Sequence, residues 1–270
     1  MGAAIWSAPP NRMREFPVRY FVRFCANHGL LSLTDRPQWR TVSGGSARYI
    51  EAVRRSRPFD VRLNSPVQQL IRSRDDVTVV AGQVPAERFE HVIVAVHADQ
   101  ALKMLSEPTP AEVAILGSFA YQRNEALLHT DSSVLPRRRR AWASWNYQVP
   151  ATSQATVAVT YWLNRLQRIT APREFCLTLN GDDAVDPASV LRRITYHHPL
   201  YTSRAVAAQR RCAEISGPRR THYCGAYWGY GFHEDGVNSA LAVVKYFDKG
   251  FEKCTAVSTR VESGTAALAP

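Results

Sequence analysis

Residues 223–237 read Y-C-G-A-Y-W-G-Y-G-F-H-E-D-G-V, a β-type segment that runs into a loop with glycines at 225, 229, 231 and 236 and then into a helical pattern. Bare glycine backbone and the spare N–H groups of a helix start can approach a flat or anionic ligand closely. A plain turn between strand and helix would account for the glycines. It would not account for Tyr227, Trp228, Tyr230 and Phe232, large rings that a surface turn has no reason to hold. A second glycine turn, Ser43-Gly44-Gly45-Ser46, offers Ser46 as the N-cap of a helix expected over residues 47–56.

Other reactive side chains group less well. His197 and His198 are adjacent, so on a strand they face opposite sides, and no Cys or acid stands at ligand spacing; no metal site is expected. Ser43, Ser46 and Cys224 have no GxSxG elbow or equivalent, which argues against a hydrolase. The arginines at 137–140 beside Trp142, Trp145 and Tyr147 could hold phosphates and stack bases, or meet an anionic lipid headgroup. The aromatics alternate as sheet residues should, so a solvated turn leading into a strand is favoured, and no specific nucleic-acid partner is expected.

Several elements must position these groups. An amphipathic helix is expected over 19–27, followed after the 47–56 helix by short β runs at 61–64, 67–72 and 77–81. The apolar run at 91–96 reads as a strand buried on both faces, and it feeds a helix at 99–105, which is half of a parallel βαβ unit. Thr109-Pro110 starts another helix. Strand-like segments at 124–130, 141–148, 156–161, 175–179 and 191–196 then suggest an antiparallel sheet. A helix over 202–215, a strand at 221–224 and a helix over 237–247 complete the pattern, and 248–270 reads as a disordered tail.

With 270 residues the chain is one large domain or two small ones, and its 45% hydrophobic and 10% aromatic content is that of a globular protein. The net charge of +11 suits an anionic partner, although only four of the 34 basic residues are Lys and the Arg excess is equally explained by a GC-rich genome. Five scattered cysteines without a CxxC pair point to reduced thiols and a cytoplasmic location. No apolar run approaches the ~20 residues of a transmembrane helix.

The runs Val42-Ser43-Gly44-Gly45-Ser46, Pro66-Val67, Val92-Ile93-Val94-Ala95 and the 224–237 block resemble, in order and spacing, the middle and end of the flavin-containing amine oxidase superfamily. More narrowly, residues 121–125, 140–147 and 225–236 resemble a bacterial group of FAD-dependent amine-oxidase-like proteins often encoded beside cyclopropane-fatty-acid synthases; the match runs from about residue 3 to residue 247. The resemblance implies an α/β fold, α+β overall. It comprises an incomplete Rossmann-like FAD lobe (41–107 and 200–247) and an antiparallel-sheet substrate lobe (1–40 and 108–199). It also implies non-covalent FAD. Gly44, Gly45 and Ser46 would form the turn near the cofactor, with Arg48 facing the isoalloxazine and substrate. Val67 would lie at the adenine end, and Gly225 and Ala226 beside the ribityl and pyrophosphate. Phe232, His233, Glu234 and Asp235 would start the helix that faces the flavin C2 carbonyl, while Tyr227, Trp228 and Tyr230 wall the substrate cavity. No acid-base pair is visible, so no catalytic residue is assigned. The implied reaction takes a hydride from an amine or an acyl lipid, with membrane-surface contact as a further implication; the oligomeric state is open.

Complete members of that superfamily open with a strand, GxGxxG, a helix and a ribose-binding acid, and residues 1–40 supply none of these. The sequence therefore reads as the last part of a longer protein, for which FAD binding by the chain alone would be poor. The rival reading is a non-catalytic fragment or interaction module that works only with a separate FAD-binding segment.

Overall fold

The computed structural model describes residues 2–9, 11–34, 38, 40, 42–56, 59–148 and 157–248. The fold is α/β in the broad sense, with one parallel strand pair, a small meander and a larger antiparallel sheet. The residues read as a tail beyond 248 lie outside the described ones.

The chain opens with helix α1 (Gly2–Ile5) and α2 (Val18–Asn27), whose buried Tyr20, Phe24 and Cys25 form one face of an amphipathic pattern. Helix α3 (Ala47–Ser56) follows the Gly44-Gly45 turn as expected, but none of its residues is buried. Strands β1 (Val67–Arg72), β2 (Val77–Ala81) and β3 (Glu87–Phe89) make an antiparallel meander in sequence order. The expected strand at 61–64 is absent: those residues run as irregular backbone and a bend ahead of β1.

Strand β4 (Val92–Val94) pairs in parallel with β10 (Thr221–Tyr223), Val92 opposite Thr221 and Val94 opposite Tyr223. The expectation of burial on both faces does not hold: Ile93 is 46% exposed, since this sheet has two strands among the described residues and β4 has a neighbour on one edge alone. Helix α4 (Ala98–Met104) follows, then α5 (Pro110–Leu116), which starts on a reciprocal cap. Thr109 Oγ1 accepts from the Glu112 N–H at 3.2 Å and Glu112 Oε2 accepts from the Thr109 N–H at 2.7 Å.

The antiparallel sheet is built from β5 (Ala120–His129), β6 (Trp145–Gln148), β7 (Ala158–Trp162), β8 (Cys176–Leu179) and β9 (Val190–Leu200), with short helix α6 (Leu163–Leu166) after β7. Its order is β6-β7-β8-β5-β9, so the long β5 lies between β8 and β9. Period-two alternation sends Ala126 into the core on one side and Leu127 on the other. The sheet also buries polar residues, each with a partner: His129 Nε2 meets Thr178 Oγ1 at 2.8 Å, and Thr178 meets Thr160 at 2.8 Å.

The expected 202–215 helix is two, α7 (Ser203–Gln209) and α8 (Cys212–Ile215), the break at Arg210 and Arg211 turning Ile215 into the core. Thr202 caps α7 as expected. Helix α9 (His233–Lys245) begins four residues before the expected start because the H-E-D-G segment, polar rather than apolar, already forms its first turn.

The main core gathers Leu70 of β1, Val94 of β4, Ala98 and Ala101 of α4, Ile115 of α5, and Tyr223 and Tyr227. Under it lies a buried ion pair. Arg72 donates twice to Glu112, which also accepts from the Tyr223 hydroxyl at 2.7 Å, so β1, α5 and β10 are tied at one carboxylate. A second core packs Trp6, Phe16, Tyr20 and Phe24 against Leu200 and Tyr201.

Candidate functional site

The loop after β10 is shaped from within. A Cβ on Gly225 would meet the Tyr227 ring at 2.5 Å, one on Gly229 the Asp235 carboxylate at 2.1 Å, and one on Gly231 the Tyr201 hydroxyl at 2.6 Å. Three of the loop's four glycines thus make room for the protein's own side chains. Only Gly236 has open space, its nearest neighbour being the Ala226 nitrogen at 4.0 Å.

Distant elements pin the same loop. The Tyr20 hydroxyl donates to the Gly229 carbonyl at 2.6 Å, Trp6 Nε1 to the Tyr230 carbonyl at 3.0 Å, and Gln209 Nε2 to the carbonyls of Tyr227 and Gly229 at 2.9 and 2.6 Å. Burial raises the Tyr20 phenol far above its ordinary value, so it stays a neutral donor. Sequence reasoning missed Trp6, Tyr20 and Gln209, which lie in ordinary helical patterns over 200 residues away or in α7; no local signal marks them.

The aromatic residues of the loop part company. Tyr227 is buried in the main core with its ring 5.0 Å from Phe119, and its hydroxyl finds no hydrogen-bond partner among the described residues. Tyr230 turns to the second core, 4.5 Å from the Tyr20 ring. Trp228 alone of the three lines a cavity of about 430 Å³, together with Cys212, Gly229, Asp235, Asn238 and Ser239. That volume lies in the ~300–1,000 Å³ range of small-molecule sites. Trp228 Nε1 is buried without an acceptor among the described residues, and burial pushes the Cys212 thiol up to about 11, leaving it unreactive.

At the helix start, Asp235 turns back and accepts from the Phe232 N–H at 3.0 Å. No described group accepts from the N–H groups of His233, Glu234 or Asp235. These donors carry the positive end of the helix dipole, while two carboxylates in the first turn oppose a phosphate there. A neutral carbonyl on a flat ring suits the arrangement better.

Tyr49 of α3 stands edge-on to His233, ring centroids 6.4 Å apart, which brings the Gly44-Gly45-Ser46 turn toward the start of α9. Gly44 and Gly45 have φ of 78° and 90°, a region L-residues avoid, and a Cβ on Gly45 would touch nothing. Arg48 is exposed and paired with Glu51. Val67 is elsewhere: it borders a second cavity, of about 560 Å³, with Val79, Val92, Ile93, Val96 and Met104. Trp228 and Asp235 therefore line one cavity, α3 touches the start of α9 through Tyr49 and His233, and Val67 lies at the other cavity beside β4.

A flavin ring can be tested against these residues. An indole donor without an acceptor, a lined cavity of adequate size and the spare amides of α9 fit a flat heteroaromatic ring with carbonyl acceptors. The sequence contains no GxGxxG phosphate turn.

Comparison with known proteins shows the family and the fold. The family model for flavin-containing amine oxidoreductases matches residues 19–167, more than half of the chain. Among solved structures, cyclohexylamine oxidase from Brevibacterium oxydans IH-35A superposes with a TM-score of 0.58 at 14% identity, over 92% of this chain and 63% of that one. The fatty acid isomerase of P. acnes that produces CLA gives 0.55 at 13% identity over 75% and 52%, and reduced UDP-galactopyranose mutase 0.56 at 11% over 76% and 52%. At such identities the likeness is one of fold, and the chain spans between about half and two thirds of the length of these neighbours. No curated protein matches the sequence.

Proposed function

The chain belongs to the flavin-containing amine oxidoreductases, whose cofactor is FAD, and on that footing we propose that it holds the isoalloxazine end of FAD in an amine-oxidase-like oxidoreductase. The observation that carries this reading is a cavity of about 430 Å³ lined by Trp228, whose indole donor has no acceptor among the described residues, and by Asp235 in the first turn of α9. Trp228 would give a wall and a hydrogen bond, and the backbone of residues 233–235 would face a ring carbonyl and steady negative charge that develops there. Gly44, Gly45 and Ser46 would close the opposite side, with Arg48 reaching toward the substrate. Gly225 and Ala226 would border the ribityl chain, and Val67 the adenine end. The chemistry a bound flavin supplies is two-electron oxidation, a hydride leaving a carbon next to nitrogen, or along an acyl chain, for N5. The protein's part is to position the substrate and exclude water, which needs no acid-base pair. Free described thiols at 25, 176, 212 and 224 support a cytoplasmic location.

A second reading has its own support: β4 keeps an edge unpaired among the described residues, and three loop glycines are filled by the protein's own side chains. On this reading the chain works only alongside a polypeptide that supplies the diphosphate turn. Gel filtration of the purified protein after incubation with FAD separates the two. A resolved flavin absorption band that elutes with the protein, bleached by a primary amine or an unsaturated fatty acid without oxygen, bears out the first. Flavin eluting wholly apart from the protein removes it.

A further inference from the structure

Two sets of bonds hold the loop that carries Trp228. On its N–H side they are local: Trp228 donates to the Gly225 carbonyl at 3.2 Å, and Gly229 and Gly231 donate to the Ala226 carbonyl at 3.0 and 3.1 Å. On its carbonyl side they come from far away. Gln209 Nε2 donates to the carbonyls of Tyr227 and Gly229, at 2.9 and 2.6 Å, the residues on either side of Trp228. Both partners are carbonyls, so the amide can present only its nitrogen here, and both of that atom's hydrogens are used. The Gly229 carbonyl also accepts from the Tyr20 hydroxyl. Gln209 itself is firmly seated: it ends α7, whose Ala205 and Ala208 are buried in the main core.

We infer that Gln209 is a positioning residue for Trp228, holding the carbonyls before and after it so that the indole donor faces the cavity before a ligand arrives. Gly229, the next residue, resists few backbone rotations, and the remote bonds remove that freedom in advance. Ordering done in the free protein is ordering that binding need not supply. The inference rests on the reading of this cavity as the place of the flavin ring, and its first readout needs no ligand.

The test is heteronuclear NMR of the 270-residue protein, joined to equilibrium dialysis against riboflavin. Trp228 is one of six tryptophans, and its indole N–H signal is the one missing from Trp228→Phe. In Gln209→Leu that signal should move and exchange faster with solvent, and riboflavin retention should weaken about tenfold. Tyr20→Phe, which removes one of the two donors to the Gly229 carbonyl, should act in the same direction by less. Thr202→Ala removes the cap of the same helix; it should lower the thermal midpoint but leave the signal and the riboflavin affinity alone. An indole signal unmoved in both Gln209→Leu and Tyr20→Phe overturns the inference. So does an equal shift in Thr202→Ala, since lost stability would then explain it, and so does riboflavin held as tightly by Gln209→Leu as by the parent. A signal moved in Gln209→Leu, in a protein whose parent retains no riboflavin, bears out the clamp and removes the flavin reading instead.

Discussion

The antiparallel sheet and the parallel pair spend the same kinds of residue differently. Within the sheet, Leu127 is fully buried, and the polar side chains that go inside with it, Asn124, His129, Thr160 and Thr178, all have partners. Around the parallel pair, Ile93, Val67 and Val96 border an open cavity, and the described residues from Leu30 to Gln69 bury nothing. Parallel strands are normally covered on both faces and paired on both edges. The antiparallel region therefore closes on itself, whereas the parallel region is firm beneath, through Arg72, Glu112 and Tyr223, and open above. The cavity proposed for a flavin ring borders this pair at His222 and Tyr223 of β10.

The sharpest way to break this contrast is at the ion pair. Glu112→Ala leaves the Arg72 guanidinium buried and unpaired and should cost ~3–5 kcal/mol, measured by urea denaturation. A cost below ~1 kcal/mol would mean that the parallel region is loose throughout. Burial alone would raise the Glu112 carboxyl, but Arg72, the Thr109 N–H and the Tyr223 hydroxyl hold it below its ordinary value. A carboxyl lowered in this way stabilises the fold at neutral pH and loses that contribution as pH falls through its folded value.

Next comes a matched pair of truncations. Leu127→Ala in β5 should cost ~2–5 kcal/mol as a cavity in a closed core, and Ile93→Ala in β4 no more than ~0.5 kcal/mol because half its side chain already meets solvent. Equal costs would erase the difference between the regions.

Much of this architecture was legible beforehand. The bounds of β1 and β2 and of α3 follow from alternation and from Ser46, and the antiparallel block follows from its evenly spaced β runs. What the sequence concealed depends on contacts between distant segments. The run at 91–96 looks doubly buried because periodicity reports side-chain type, while burial depends on what packs over each face of the strand. The loop glycines look like a ligand cradle, but Tyr201, Tyr227 and Asp235 fill three of the four positions, and no local pattern announces that. The start of α9 was hidden by the polar H-E-D-G turn.

A smaller effect concerns acid. Burial lowers the His129 imidazole below its ordinary 6.5, with Asp131 opposing the shift. Its folded value lies below its unfolded one, so the neutral form stabilises the sheet above the unfolded value and that contribution fades as pH drops through 6.5. Denaturation midpoints should fall from about pH 7.5 to about pH 5, and His129→Gln should flatten part of that fall. An unchanged slope would locate the acid sensitivity elsewhere. The smallest effect is at Gly45→Ala, ~1 kcal/mol from positive φ alone, because no atom lies near enough to clash with the added methyl.

The most direct measurement is equilibrium dialysis of the purified protein against riboflavin and, separately, against ADP, repeated with Trp228→Ala. Riboflavin should be retained, its fluorescence quenched by the indole, with retention weakened about tenfold in the variant, and ADP should pass freely. Retention of ADP with no retention of riboflavin, or riboflavin binding untouched by loss of the Trp228 ring, would contradict a flavin ring held between this side chain and the start of α9.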